Sequence, residues 1–171
     1  GRLGGLIAEM HAGIGGHALF QFDAAQAFSD ATMVIPYFEA GGLGLPDRDY
    51  YIDQDERSQR MREDYRAHVS RIFALAGDSP RSADVHADAV MRIEARLAKA
   101  SLSRVDLRDP RKLDHSMSVV ELRRLAPHFD WVAYLAARGL GAVQRLNVTE
   151  PAFLREVDRV VSARPPAEVE A

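Results

Sequence analysis

Between Asp53 and Ala100 apolar residues recur every three or four positions, the spacing of one helical face. Met61, Tyr65, Val69, Ile72 and Ala76 predict a helix starting near Asp53. Asp53 with Glu56 three residues later reads as its N-terminal capping pair, and Gly77 suits the left-handed position past its end. Ser79-Pro80 is a cap followed by a first-turn proline, so a second helix follows and the two form a hairpin. Its face carries Val90, Ile93 and Leu97, while Ala83, Ala87 and Ala100 allow close approach. Ahead of this region the period shortens to two. Ala18, Phe20 and Phe22 alternate with other residues, and Met33 to Phe38 is rich in β-branched and aromatic types. The prediction is an antiparallel β-hairpin over about residues 18–38 with a long loop. Pro36 has no N–H to donate, which places its strand at a sheet edge or puts a bulge there.

Leu3 to Met10 predicts a short helix, ended by Gly13, Gly15 and Gly16. After the break at Asp109-Pro110, Ser118 and Glu121 have the spacing of a capping box, with Met117 and Leu122 placed as its hydrophobic staple. Asp130 can cap a short helix through Trp131, Tyr134 and Leu135, closed by Gly139. Leu146-Asn147-Val148 reads as a short strand, and Thr149-Glu150-Pro151 opens a helix whose Leu154, Val157 and Val161 share a face. The fold class is therefore mainly α, a helical lobe with a small antiparallel β-hairpin. The ordered part runs over 1–163, and the proline-rich end, 164–171, reads as a tail.

Composition narrows the function classes. At 171 residues and 47% hydrophobic, the chain suffices for one domain or two small ones. A chain of this length can bury about 70% of its unfolded surface without a metal or disulfide staple. The 22 Lys+Arg against 25 Asp+Glu leave a net charge of −3, which argues against nucleic acid or anionic lipid as a partner. No apolar run approaches the roughly 20 residues of a membrane-spanning helix. The absence of cysteine excludes disulfides, thiol chemistry and Cys-zinc sites. The chain opens on Gly1 rather than Met, which predicts a piece of a longer protein.

Candidate chemistry is sparse. None of the six histidines has another four residues on, so no His-Glu-x-x-His zinc helix exists. His86 shares a stripe with Val90 and Ile93 and reads as a partly buried packing residue, while His68 lies one turn from Asp64 as a surface pair. Gly13-Ile14-Gly15-Gly16-His17-Ala18 has dinucleotide-loop spacing, but it follows a helix and precedes a strand, the reverse of what phosphate binding needs. Asp47, Asp49, Asp53 and Asp55 lack the Gly and distal Glu of a calcium loop and read as caps. Arg123-Arg124, and Arg108 with Arg111-Lys112, read as solvated faces. The segment Gly44 to Tyr51 reads as a rigid turn in which Arg48 bridges carboxylates or carbonyl groups and the tyrosines anchor the next helix.

That segment also carries a resemblance. Gly42-Leu43-Gly44-Leu45-Pro46-Asp47-Arg48-Asp49-Tyr50-Tyr51 closely resembles the signature of the neprilysin and endothelin-converting-enzyme (PepO-like) family of zinc metallopeptidases. Met91 to Ala98, with Glu94, resembles a helix of that family. Arg108-Asp109-Pro110 leading to Met117-Ser118 resembles its Asn- or Arg-Asp-Pro stretch before Lys-Met-Thr. Where the family often has Tyr-Asn-Lys, this chain has Asp114-His115-Ser116. The resemblance spans about His11 to Val161.

It implies a fragment of the non-catalytic N-terminal helical lobe of a zinc metalloendopeptidase, enclosing a cavity for short peptides. Zinc in that family is held by His-Glu-x-x-His and a later Glu-x-x-x-Asp; neither motif occurs in the chain, so the resemblance assigns it no catalytic or metal residue and predicts no activity for it alone. The implied partners are the catalytic lobe of the same polypeptide and peptide substrates, and the implied location is extracytoplasmic. Gly42, Gly44, Leu45, Pro46, Arg48, Asp49, Tyr50, Tyr51, Glu94, Arg108, Asp109 and Pro110 are the signature residues, with structural roles. The alternative is a stand-alone helical interaction module without enzymatic activity.

Overall fold

The computed structural model describes residues 2–13 and 18–163. In chain order the elements are α1 (Arg2–Gly13), β1 (Phe20–Ala27), β2 (Asp30–Ala40), α2 (Asp49–Ile52), α3 (Glu56–Leu75), α4 (Pro80–Ala100), two 3-10 turns (Asp106–Arg108 and Pro110–Lys112), β3 (Ser116–Ser118), α5 (Val119–Leu125), α6 (Trp131–Ala137), β4 (Arg145–Val148) and α7 (Pro151–Ser162). The protein is mainly α with a few strands, as the periodicity predicts. It divides into two units: a helical one, Leu43–Ser103, and a mixed one built from the chain up to Gly42 and from Arg104 onward. The Gly15-Gly16 break and the tail at 164–171 lie outside the described residues.

In the helical unit the expected hairpin is α3 and α4, joined at Gly77 (φ +112°) with Ser79 accepting from the Ser82 amide at 3.2 Å. The cap of α3 is Asp55, which accepts from the Ser58 amide at 3.0 Å, and not Asp53. Asp53 is still engaged as the C-cap of α2, its N–H bonded to the Asp49 carbonyl at 2.8 Å, so the chain needs two more residues to start again. Ala83, Ala87, Leu97 and Ala98 form the buried stripe of α4. His86 is one position, about 100° of helix rotation, from Ala87. It is therefore exposed rather than packed, with its Nδ1 2.6 Å from Asp78 and its ring against Phe73. Ile72 is also exposed, at 51%. On either side of Val69 the contact between α3 and α4 is polar: Ser70 donates to Asp84 at 2.8 Å, and Arg66 donates to Asp88 at 2.5 Å.

In the mixed unit a four-stranded sheet has the order β1-β2-β4-β3. The predicted hairpin is β1 and β2, paired antiparallel from Phe20 opposite Ala40 to Gln26 opposite Val34. Its connection is a tight turn at Phe28-Ser29, not a long loop. The distal arm, with Asp23, Gln26, Asp30 and Thr32, lies mostly exposed, so it carries no apolar alternation for sequence reading to detect. Asp30 holds the turn by accepting from both the amide (3.0 Å) and the hydroxyl (2.6 Å) of Thr32. β2 is an interior strand, because β4 pairs with it in parallel at Tyr37 and Phe38. Pro36 stands just ahead of that pairing, with Ala24 opposite it on β1, and the register shift falls at Gln26/Ala27 instead.

The core of this unit is aromatic. Trp131 lies 4.4 Å from Phe129, 5.2 Å from Phe38 and 5.5 Å from Phe20, ring centroid to centroid, and its indole N–H donates to the Ala126 carbonyl at 2.8 Å. Tyr134 donates its hydroxyl to His11 at 2.9 Å, while the other ring nitrogen of His11 donates to the Ala18 carbonyl, so α1 is bound to α6. Ser118 and Glu121 form the predicted capping box, and Asp130 caps α6 through the Ala133 amide. Buried Asn147 on β4 fastens the segment before β3: its side chain accepts from the His115 amide at 2.7 Å and donates to the Leu113 carbonyl at 2.8 Å.

Candidate functional site

The signature segment and Glu94 meet inside the helical unit. Glu94 lies on the buried stripe of α4 and is only 8% exposed, which is costly for a carboxylate unless its oxygens are satisfied. Three donors satisfy them. The Gly44 amide and the Tyr51 hydroxyl both bond to Oε2, and the Tyr65 hydroxyl bonds to Oε1 at 2.9 Å. Tyr51 in turn accepts from the Leu45 amide at 2.9 Å, so one carboxylate and one phenol hold two consecutive backbone amides of the loop. Leu45, Tyr51 and Ala98 form the buried apolar floor beneath, with Met61 and Met91 packed against it.

The loop needs glycine at one point for space alone: a Cβ on Gly44 would overlap the Tyr65 phenol. Gly42, in the adjoining segment, takes a left-handed backbone at φ +69°, which favours glycine. Burial, then the bond to Glu94, push the ionisation of the Tyr51 and Tyr65 phenols well above the ordinary tyrosine range, so both remain donors. The arrangement is a clamp. Every group in it is engaged with another, which fixes the loop and leaves no nucleophile or base presented for reaction.

Around the clamp, the roles expected of Arg48 and the tyrosines are redistributed. Arg48 comes only to 3.8 Å from Asp49, and its buried Nε has no hydrogen bond. The carbonyl bridge is made by Arg62 of α3, which donates to the carbonyls of Tyr50 (2.5 Å) and Asp53 (2.8 Å). Tyr50 does anchor the next helix, α3, through Arg57 and Arg62. Tyr51 reaches past it to α4. Asp47 accepts from the Asp49 amide at 2.8 Å, and Asp55 caps α3, so these members of the acidic cluster serve local turns. Pro46 is exposed in the loop.

Gly44, Leu45, Tyr51 and Glu94 are thus brought together, whereas Arg108, Asp109 and Pro110 belong to the mixed unit, where Asp109 accepts from the Arg111 amide at 3.1 Å and starts the second 3-10 turn. Sequence reading missed Tyr65 as a partner of Glu94 because its place on an apolar stripe hid its hydroxyl; a tyrosine on that stripe, with a buried Glu on the facing helix, was the available signal. Among the described residues no three His, Cys, Asp or Glu side chains are grouped so as to hold a metal ion, and no helix is long and apolar enough to cross a membrane.

The model for the N-terminal part of peptidase family M13 matches residues 2–171, and the chain belongs to that family. It is 22% identical to Neprilysin-3 of Drosophila melanogaster over 165 residues, covering 93% of this chain and 21% of that protein. It is 28% identical to endothelin-converting enzyme-like 1 of Mus musculus over 116 residues, 67% of this chain and 15% of that one. The Mycobacterium tuberculosis zinc metalloprotease Zmp1, solved with an inhibitor, superposes at a TM-score of 0.81 with 27% identity, covering 93% of this chain and 24% of Zmp1. PepO from Lactobacillus rhamnosis, at 16% identity and a TM-score of 0.71, shares the fold. The chain thus spans about a fifth of the length of the relatives it matches.

Proposed function

We propose that this chain is the non-catalytic, substrate-enclosing helical lobe of a zinc metalloendopeptidase that cleaves short peptides outside the cytoplasm. The observation that carries this reading is the match of residues 2–171 to the N-terminal part of peptidase family M13, in a sequence without His-Glu-x-x-His. The zinc and the groups that activate water then belong to a partner lobe of the same polypeptide. This lobe contributes enclosure: a rigid wall that limits the size of what enters, keeps bulk water out and orients the peptide. The signature residues serve that rigidity, with Glu94 fixing the Gly44-Leu45 loop through Tyr51 and Tyr65.

The test has two arms. A longer gene product that encodes His-Glu-x-x-His downstream of Ala171 is expected to cleave a quenched peptide, with the activity lost to a chelator. The 171-residue chain alone is expected to bind no stoichiometric zinc and to cleave nothing. Zinc-dependent turnover by the isolated chain would overturn the lobe assignment; a reading frame ending at Ala171 would favour the interaction module.

A further inference from the structure

In the mixed unit an open cavity of about 580 Å³ is lined by His115, Met117, Glu121, Arg124, Leu125 and Arg155, among others. Its size falls within the range of ligand sites. Of its charged groups, Glu121 is already engaged, accepting from the amide and hydroxyl of Ser118 in the capping box. Arg124 and Arg155, on α5 and α7, make no hydrogen bond or ion pair among the described residues. Arg145 donates to Ser116, and Arg124 and Arg145 both lie near enough to Glu121 to favour its charged form. A chain of net charge −3 thus has here a concave patch in which the guanidinium groups of Arg124, Arg145 and Arg155 outnumber the one carboxylate of Glu121, beside the apolar side chains of Met117 and Leu125. One wall is β3, the outermost strand of the sheet, held rigidly by Asn147 through the His115 amide.

Guanidinium groups select planar oxyanions, carboxylates above all, and an apolar floor selects for an aliphatic body attached to them. We infer that this cavity binds a carboxylate carried by a peptide, with Arg124 and Arg155 as its cationic contacts. The carboxylate has two sources, an acidic side chain or a free C-terminus, which share this chemistry. The site does not depend on the peptidase reading, since it stands on residues of this unit alone.

The test is an NMR titration of the 171-residue chain, following the amides of His115, Met117 and Leu125. The probes are an acetylated and amidated Ala-Glu-Leu-Ala peptide, its Gln twin, and that Gln twin with a free C-terminus. Binding by the Glu peptide or by the free C-terminus, but not by the amidated Gln twin, supports the site and tells which source it takes. R124Q and R155Q should each weaken that binding about tenfold, the effect of losing one charge-assisted contact. R71Q, at an exposed arginine of the helical unit, should leave it unchanged. Equal binding of all three peptides, no binding at all, or an equal loss in R71Q would overturn the inference. The spectra of the variants also report that the fold is retained, so a loss of binding is not a loss of structure.

Discussion

The aromatic core of the mixed unit and the clamp of the helical unit solve the same packing problem with opposite chemistry. The core closes around Phe20, Phe38, Phe129, Trp131 and Tyr134, rings that meet at 4.4–6.2 Å and carry two polar groups to satisfy, the Trp131 N–H and the Tyr134 hydroxyl. The helical unit places a carboxylate where a hydrophobic side chain would be expected and surrounds it with three donors. Apolar contact is non-directional and tolerates a change of shape that keeps volume. A buried carboxylate is directional: it favours one arrangement of Gly44, Tyr51 and Tyr65, and every lost partner leaves a desolvated group behind. The aromatic core should therefore be sensitive to volume and the clamp to chemistry.

The largest effect is expected at Trp131. W131A removes the largest buried side chain and leaves a cavity, at a cost of about 3–5 kcal/mol. W131F, which keeps an aromatic ring, should cost about half as much or less, since it loses mainly volume at the rim and one hydrogen bond. Urea denaturation followed by circular dichroism measures both. Equal losses for the two variants would mean that the indole hydrogen bond, not packing, holds this core.

At Glu94 even the near-isosteric change should be harmful, through lost chemistry rather than lost volume. E94A leaves three donors unsatisfied and is expected to cost about 2–4 kcal/mol. E94Q preserves shape but replaces one accepting oxygen by a donor, and should still cost about 1–2 kcal/mol. Alkaline pH sharpens this further. The Tyr51 and Tyr65 phenols ionise above the ordinary value of 10.0 in the folded state, so above about pH 10 the unfolded chain loses protons that the folded chain keeps. The stabilisation is full below that pH and falls as pH rises toward the folded values. Urea midpoints at about pH 9 and pH 11 should diverge for the native sequence and less so for Y65F. An equal drop in Y65F would remove Tyr65 from the clamp.

What was legible in the sequence divides along the distance between partners. Ser118 with Glu121, Ser79 with Pro80, and Asp130 with Gly139 act within one or two turns of their own helices, and their spacing alone announces them. The clamp joins residues 29, 43 and 50 positions apart, so periodicity could show Glu94 and Tyr65 on helices but not that they meet; composition singled out the loop, and only the resemblance singled out Glu94. The parallel pairing of β2 with β4 was hidden for the same reason. A three-residue stretch such as Leu146 to Val148 suits any neighbour, and what assigns it is a long return of the chain. The cap of α3 failed at shorter range, because Asp53 and Asp55 are both competent caps and only the end of α2 decides between them.

The smallest effect tests packing against intrinsic propensity at adjacent positions of α1. A Cβ on Gly4 would sit 2.5 Å from the Asp130 carbonyl oxygen, a backbone atom that cannot move aside without disturbing the start of α6. A Cβ on Gly5 meets nothing within 4 Å. G4A should therefore destabilise the mixed unit by about 1–3 kcal/mol, the cost of overpacking. G5A should stabilise it by about 0.5–1 kcal/mol, because alanine restricts the unfolded chain and favours the helix. Both are read as shifts in the thermal midpoint followed by Trp131 fluorescence, the single tryptophan of the chain. If G4A proved as harmless as G5A, the close approach of α1 to Asp130 would be lost, and with it the view that close contact, beside the His11–Tyr134 bond, seats α1 on this unit.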